Sequence, residues 1–213
     1  MISILTPSIR PEGLRDVMES LERQTVQDFE WLVEIGTPWR GHDLSRAMNR
    51  MLRRAKGDLI VIHQDYIRSP DKALERVLEA HRLSPRTLYT YPVSKTHASY
   101  ADLKRDWRSQ TDGEIPYYQW ETDFASAPRQ AFLDVGGYDE EFDQGWSWEN
   151  ANLAHRASKA GYLFRCDQEL ECVAWDHDAE MTHPFRGKNE NQERNKQKSL
   201  EIELDGKWKL NYL

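Results

Sequence analysis

Residues 2–91 alternate short apolar runs with amphipathic stretches, and that alternation leaves few folds open. Ile2 to Leu5 is an apolar run closed by Thr6-Pro7-Ser8, the pattern of a buried strand opening into a loop. Pro11 suits the first turn of a helix whose apolar face is Leu14, Val17, Met18 and Leu21. Trp31 to Ile35 reads as a second strand, and Leu44, Ala47, Met48, Met51 and Leu52 as a second helix stopped at Gly57. Leu59 to Ile62 is a third strand. Ser69-Pro70-Asp71 then sets cap, proline and acid in order for a third helix carrying Leu74, Val77, Leu78 and His81, and Thr87 to Tyr91 is a fourth strand. Strands and helices alternating at these lengths predict an α/β fold with a mostly parallel sheet flanked by helices. Ligands of such sheets sit beyond the carboxyl ends of the strands. That rule selects Thr6 to Arg10, the loop after Ile35, and the segment His63-Gln64-Asp65.

Past Tyr91 the pattern changes. Between Pro92 and Phe124 periodicity fails while Trp107, Tyr117, Tyr118 and Trp120 accumulate, which reads as a long aromatic loop, functional or ordered on binding. Strand-like runs return at Tyr162 to Cys166 and Leu170 to Trp175. Beyond Glu180 the chain turns polar and basic, with Arg186, Lys188, Arg194, Lys196 and Lys198, as expected of a solvated helix or flap whose end docks through Trp208, Leu210 and Tyr212. The expected organisation is a single domain over residues 1–180, with halves of about 1–91 and 92–180, followed by a polar tail over 181–213.

The densest chemistry lies in Gly136 to Gly161. Gly136-Gly137 marks a sharp turn, and Leu153, Arg156, Ala157 and Ala160 recur at helical spacing up to Gly161, so a helix begins near Glu149 and Asn150. An acid in the first turn suits the helix dipole, which is the ordinary reading of Glu149. Trp146 and Trp148 flank the same turn, however, and flat apolar rings beside a carboxylate build a sugar-binding surface.

His63 and Asp65 share one side of an extended strand end, where imidazole and hard oxygen suit Mn²⁺ or Mg²⁺; a hydrogen-bonded turn before the next helix is an equal reading. His177 and His183, in AWDHDAEMTHPFR, are surface histidines unless the fold brings one beside Asp65, where it would complete a divalent site.

Net charge bears on partners. At -7 the chain is not a general nucleic-acid binder, because such binding needs a basic face. No apolar run has the length to cross a bilayer, and the absence of a charged-then-apolar leader predicts a cytoplasmic location. Cys166 and Cys172 are expected as reduced, partly buried thiols, with a single bridge between them left open.

Together these segments resemble the GT-A nucleotide-sugar glycosyltransferases, particularly the family 2 type. SILTPSIRPEGLRDVMESLERQTVQDFEWLV looks like the opening strand, helix and second strand of that family. NRMLRRAKGD resembles its next helix and turn, HQD stands in place of its metal-binding DxD, and AFLDVGGYDEEFD with ENANLAHRASKAGY matches its glycine turn and ED-bearing helix. GWSWENANLAHR is also similar to the GWGGEDDD segment of β-1,4-galactosyltransferases, and Cys172 to His177 resembles the stretch carrying their metal-binding histidine.

The resemblance implies a GT-A, Rossmann-like fold and a nucleotide-sugar half before Pro92. It also implies transfer of a sugar from a UDP-sugar to a glycan, protein or other hydroxyl acceptor, with Mn²⁺ or Mg²⁺ as cofactor. Asp65, His63, His177 and His183 are then metal candidates, His177 ahead of His183. Thr6, Arg10, Glu34, Gln64 and Arg129 are candidates for holding the nucleotide and its phosphates, and Trp120, Trp146 and Trp148 for the sugars. Glu149 and Asn150 take the place of the catalytic acidic pair. Two departures stand out: the nucleoside-binding acids after Val33 are replaced by Glu34-Ile35-Gly36, and the second acid of the pair by Asn150, which cannot accept a proton. An EN pair also occurs in retaining polypeptide N-acetylgalactosaminyltransferases, so inversion and retention both stay open. A non-catalytic GT-A-like module that binds nucleotide sugar or glycan is the alternative.

Overall fold

The structure is a computed structural model that describes residues 1–36, 43–96, 102–144, 147–175, 189–205 and 209–213. Its strands are β1 (Ile2–Ser8), β2 (Phe29–Ile35), β3 (Leu59–His63), β4 (Ile67–Arg68), β5 (Thr87–Thr90), β6 (Val93–Thr96), β7 (Lys104–Arg105), β8 (Gly113–Glu114), β9 (Phe124–Pro128), β10 (Leu163–Cys166) and β11 (Cys172–Trp175). The helices are α1 (Leu14–Glu22), α2 (Leu44–Arg54), α3 (Ala73–Leu83), α4 (Arg129–Val135), α5 (Glu149–Lys159) and α6 (Asn189–Asp205).

β1 is buried along its whole length and lies parallel between β2 and β3. Such a strand can be apolar throughout, because helices cover both faces of the sheet. The main sheet has seven strands in the order β2-β1-β3-β9-β5-β10-β8, with β9 antiparallel to β3 and β5. A smaller sheet runs β4-β11-β6-β7.

Side chains alternate between two apolar clusters. Ile2, Ile4, Leu59 and Val61 pack with Val17 and Leu21 of α1 and Leu74 and Val77 of α3. Leu5, Ile60 and Ile62 pack with Met48, Met51 and Leu52 of α2, Phe132 of α4, and Leu153 and Ala157 of α5. The mostly parallel α/β sheet predicted from the alternation is therefore the observed architecture.

Helix ends follow local chemistry. α4 stops where Gly136 adopts a left-handed conformation (φ 73°), and Gly137 (φ 85°) returns its amide to the Phe132 carbonyl at 2.9 Å. Arg156 of α5, wholly buried, locks this turn by donating to the carbonyls of Val135 and Gly137 and to Asn152. After α6 the chain docks on the same turn, with the Leu210 and Tyr212 amides bonded to the Val135 and Gly136 carbonyls, both at 3.0 Å.

The aromatic stretch before Phe124 is built into the fold. It supplies β6, β7 and β8 and two 3-10 turns, at Trp107–Gln110 and Tyr117–Gln119. Trp120 is a core residue, packed edge-on to Phe164 with its indole N–H on the Tyr89 carbonyl at 3.1 Å. Cys166 and Cys172 are free, buried and on different sheets, and burial pushes the Cys166 thiol up to about 12. Among the described residues no helix is long and apolar enough to cross a membrane.

Candidate active site

β1 and β3 end side by side, and the chain beyond each turns toward the other. Asp65 is almost fully buried there. One carboxylate oxygen accepts from the Ser8 hydroxyl at 2.7 Å and the other from the Arg10 guanidinium at 2.7 Å. Ser8 Oγ in turn accepts from the Arg10 amide at 2.9 Å, so three residues close one tight corner. A side chain at Gly13 would place its Cβ 2.3 Å from the Asp65 carbonyl oxygen, so only glycine lets the turn leading into α1 lie this close. The Arg10 guanidinium also sits 5.7 Å from the Tyr66 ring centroid.

Next along the edge is a buried ionic relay. The Tyr66 hydroxyl donates to Asp123 at 2.5 Å, and Asp123 accepts from Arg108 at 2.6 Å. Arg108, 2% exposed, also binds Asp106 and donates to the Thr90 hydroxyl at 3.2 Å. Burial alone would weaken its charge, but Asp123 and Asp106 more than offset this and raise its pKa. This relay fixes the stretch between β6 and β9 against the strand ends.

The third element of the edge is the entry to α5. The 3-10 turn Glu140–Gln144 places Asp143 at the start of α2, where its carboxylate accepts from the Ser45 and Arg46 amides at 2.8 and 3.0 Å. These are donors that a helix N-terminus leaves without partners. Burial raises the Asp143 carboxyl to about 6.

Ser147 (φ 66°) and Trp148 (φ 76°) then take left-handed conformations, and α5 begins at Glu149. The Glu149 carboxyl is pushed up to about 7, first by desolvation and then by the nearby charges of Asp143 and Glu121, with its own backbone amide acting in the other direction. Asn150 Nδ2 lies 3.4 Å from Glu149 Oε1. A carboxyl that burial raises toward neutrality is equipped to take or give a proton.

The structure thus pairs Arg10 with Asp65 beyond the ends of β1 and β3, sets Trp148, Glu149 and Asn150 at the entry to α5, and buries or pairs other candidates elsewhere. His63 is wholly buried, its ring 5.2 Å from Phe124 and its Nε2 3.3 Å from the Ser69 hydroxyl, and burial lowers its pKa to about 4. β3 ends at His63, so strand alternation no longer relates it to Asp65. Thr6 is likewise buried, accepting from the Trp31 indole at 2.9 Å.

Glu34 is paired with Arg50 and Arg54 of α2 at 3.0 and 2.7 Å. Gln64 ties the end of β3 to the residues before β9, its amide donating to the Asp123 carbonyl at 3.0 Å. Arg129 is at the wrong end of the sheet. β9 runs against β3, so Pro128 pairs with Leu59, and the Arg129 amide bonds to the Asp58 carbonyl at 2.8 Å, away from any phosphate on the opposite edge. Trp120 is in the core, as described above. Trp146, His177 and His183 lie outside the described residues.

Among the described residues no three His, Cys, Asp or Glu side chains converge as metal ligands, and both oxygens of Asp65 are engaged by protein donors. These residues do not by themselves form a divalent site.

Arg108, Asp123 and Asp143 carry no local sequence signal of their place here. Each acts through a partner distant in the chain, and no local spacing marks such partners.

No protein-family model matches the chain. Probable N-acetylgalactosaminyltransferase 9 of Caenorhabditis elegans is 27% identical over 246 aligned positions that take in 95% of this chain and 42% of that protein. The chain therefore spans less than half the length of this relative. Among solved structures, S. aureus TarS 1-349 in complex with UDP-GlcNAc superposes with a TM-score of 0.63 at 10% identity, covering 84% of this chain and 59% of that one. The same protein in complex with UDP gives a TM-score of 0.60 at 12% identity, covering 82% and 60%. At these identities the superpositions speak to architecture, and in architecture the chain is an α/β protein of the GT-A type.

Proposed function

We propose that this chain is the nucleotide-sugar domain of a glycosyltransferase that moves a sugar from a UDP-sugar to a hydroxyl acceptor. The observation that carries the proposal is the GT-A sheet with Glu149 in the first turn of α5, a carboxyl that burial pushes up to about 7. The complexes of TarS with UDP and UDP-GlcNAc, on the same fold, and the naming of the C. elegans relative support the donor class.

In this reading Arg10 faces the diphosphate and stabilises the charge that develops as it departs. The acceptor oxygen attacks the anomeric carbon, the bond from that carbon to the diphosphate oxygen breaks, and the acceptor proton passes to Glu149 Oε. Asn150 has no proton-accepting oxygen of comparable basicity and acts as a hydrogen-bonding neighbour of Glu149. That assignment favours inversion.

A second reading, a binding module without turnover, is motivated by Asn150 standing where an acid is expected. Release of UDP from UDP-GalNAc and UDP-GlcNAc, followed with manganese and with EDTA and repeated with Glu149→Gln, separates the two. Turnover abolished by the substitution supports the enzyme. Thermal stabilisation by a UDP-sugar without turnover under either condition supports the module. If no nucleotide sugar stabilises the protein beyond UDP alone, both readings of the donor site fail.

A further inference from the structure

The C-terminal helix α6 is polar enough to pass for a solvated tail, yet one of its side chains is wholly buried against the entry to α5. We propose that Asn195 is a positioning residue of the transfer site, holding the left-handed Ser147-Trp148 turn that sets Glu149; this rests on the reading of Glu149 given above.

Two consecutive non-glycine residues with φ of 66° and 76° are unusual, above all with tryptophan second. Such a turn persists only where its surroundings over-determine it. On the helix side, the Trp148 carbonyl is fixed by the Asn152 amide at 2.8 Å. On the loop side, Asn195 Nδ2 donates to the Ser147 carbonyl at 2.9 Å and to the Phe142 carbonyl at 3.0 Å. A single amide group thereby ties the Phe142 and Ser147 carbonyls together. Asn195 is 0% exposed, and its Oδ1 has no hydrogen-bond partner among the described residues, so the side chain is tied to its surroundings through the two bonds donated by Nδ2. Leucine, close in size, could make neither bond, and aspartate could donate at most one, and only when protonated.

The rest of α6 holds the amide in place. Lys198 pairs with Glu141, within the 3-10 turn, at 2.6 Å and with Asp139, just before it, at 3.3 Å, and Arg194 reaches the Glu141 carbonyl at 3.4 Å. From beneath, Asp143 of the same turn is fixed on the first amides of α2. The 3-10 turn is therefore clamped between α2 and α6. None of these bonds involves Ser8, Arg10 or Asp65. Asn195 should consequently matter for turnover and not for nucleotide binding.

The test compares wild type, Asn195→Ala, Asn195→Asp and the double variant Asn195→Ala/Ser147→Gly in the full chain. It uses amide hydrogen exchange over residues 147–153, UDP affinity, and UDP release from UDP-GalNAc and UDP-GlcNAc. Both single variants should speed exchange at this turn by about ten-fold or more. They should lower UDP release on the order of ten- to a hundred-fold, as displaced catalytic groups do, and leave UDP affinity within about two-fold, as for uncoupled sites. Ser147→Gly, which removes the steric penalty of the left-handed turn at that residue, should restore part of the release lost in Asn195→Ala. Unchanged exchange in both single variants overturns the proposal, as does a loss of UDP affinity equal to the loss of turnover, the mark of general unfolding. If wild type neither binds nor turns over the sugars, the glycosyltransferase reading fails, while the exchange measurement still judges the brace.

Discussion

The two ends of the ligand edge are built on opposite physical terms. At the Arg10 corner, Asp65 is satisfied: each carboxylate oxygen has a donor at 2.7 Å, one from a hydroxyl and one from a guanidinium. At the Glu149 corner the backbone is strained at Ser147 and Trp148, and the carboxyl is desolvated, with the Asn150 amide at 3.4 Å as a weak side-chain partner. A satisfied corner must loosen a contact to take a ligand, which suits selective binding. A strained, desolvated corner already holds its acid close to the protonation balance that proton transfer requires. Replacing Glu149 with glutamine is the sharpest way to test that division. It should lower UDP release from a UDP-sugar by about 10²- to 10⁴-fold, the range of a lost general base, with UDP affinity by calorimetry unchanged. A parallel loss of affinity would mean that the two corners are not separate.

The next largest effect should come from the turn on which the tail docks. A Cβ on Gly136 would lie 1.7 Å from the Leu210 carbonyl oxygen, and φ there is 73°. Gly136→Ala combines a left-handed penalty of about 1–2 kcal/mol with a clash against backbone. It should destabilise the domain by about 3 kcal/mol or more or release the end of the tail, read as a lower Tm or new cleavage near Leu210 in limited proteolysis. Turnover should fall more than UDP affinity, because α6 bonds the residues leading to Glu149 while none of the bonds described for the tail reaches Ser8, Arg10 or Asp65. Equal losses would argue that α6 supports the sheet as a whole.

Arg10→Gln probes the other end. It removes the charged partner of a nearly buried carboxylate, so the expected loss of stability is about 2 kcal/mol, with weaker UDP binding. Stability should be read by urea melts at constant pH. Full retention of UDP affinity would remove Arg10 from the donor site.

The pH response distinguishes the corners without any ligand. Burial pushes the Glu149 carboxyl up to about 7 from its ordinary 4.5, so between these pH values the folded state binds more protons than the unfolded one. The penalty is absent below about pH 4.5 and grows as pH rises toward 7. Glu149→Gln, which removes it, should gain stability relative to wild type by about 1–2 kcal/mol on going from pH 5 to pH 8. Release of UDP by wild type should rise over the same interval as the base ionises. A flat stability difference would show that the carboxyl is better solvated than its surroundings indicate.

What the sequence revealed divides along similar lines. β1, α1, α2 and β3 were legible because one short window holds the whole signal: apolar runs such as Leu59 to Ile62, or a stripe such as Met48, Met51 and Leu52. Glu149 was legible for the same reason, being a first-turn acid beside Trp148. His63 and Thr6 were misplaced because a side chain's direction depends on where the strand ends and what covers each face. Arg129 was misplaced because β9 runs antiparallel, and nothing in FASAP encodes strand direction. Arg108 and Asn195 went unnoticed because their partners, Asp123 in one case and Phe142 and Ser147 in the other, are set by tertiary contacts.

The smallest expected effect bears most directly on the contrast between the corners. Ser147 sits at φ 66°, where a Cβ is penalised and glycine is not. Glycine also loses more backbone freedom on folding, by roughly 0.5–1 kcal/mol, against a left-handed penalty of about 1–2 kcal/mol. Ser147→Gly alone should therefore stabilise the protein by about 1 kcal/mol or less. The same substitution at Ser8, which lies in a strand with its hydroxyl on Asp65, should destabilise it by about 1–3 kcal/mol through loss of that bond. Opposite signs in paired urea melts would show strain stored at one corner and satisfied contacts at the other. Destabilisation at both positions would mean that Asn195 and Asn152 hold the turn so firmly that its left-handed geometry is no burden, leaving desolvation of Glu149 as the remaining asymmetry.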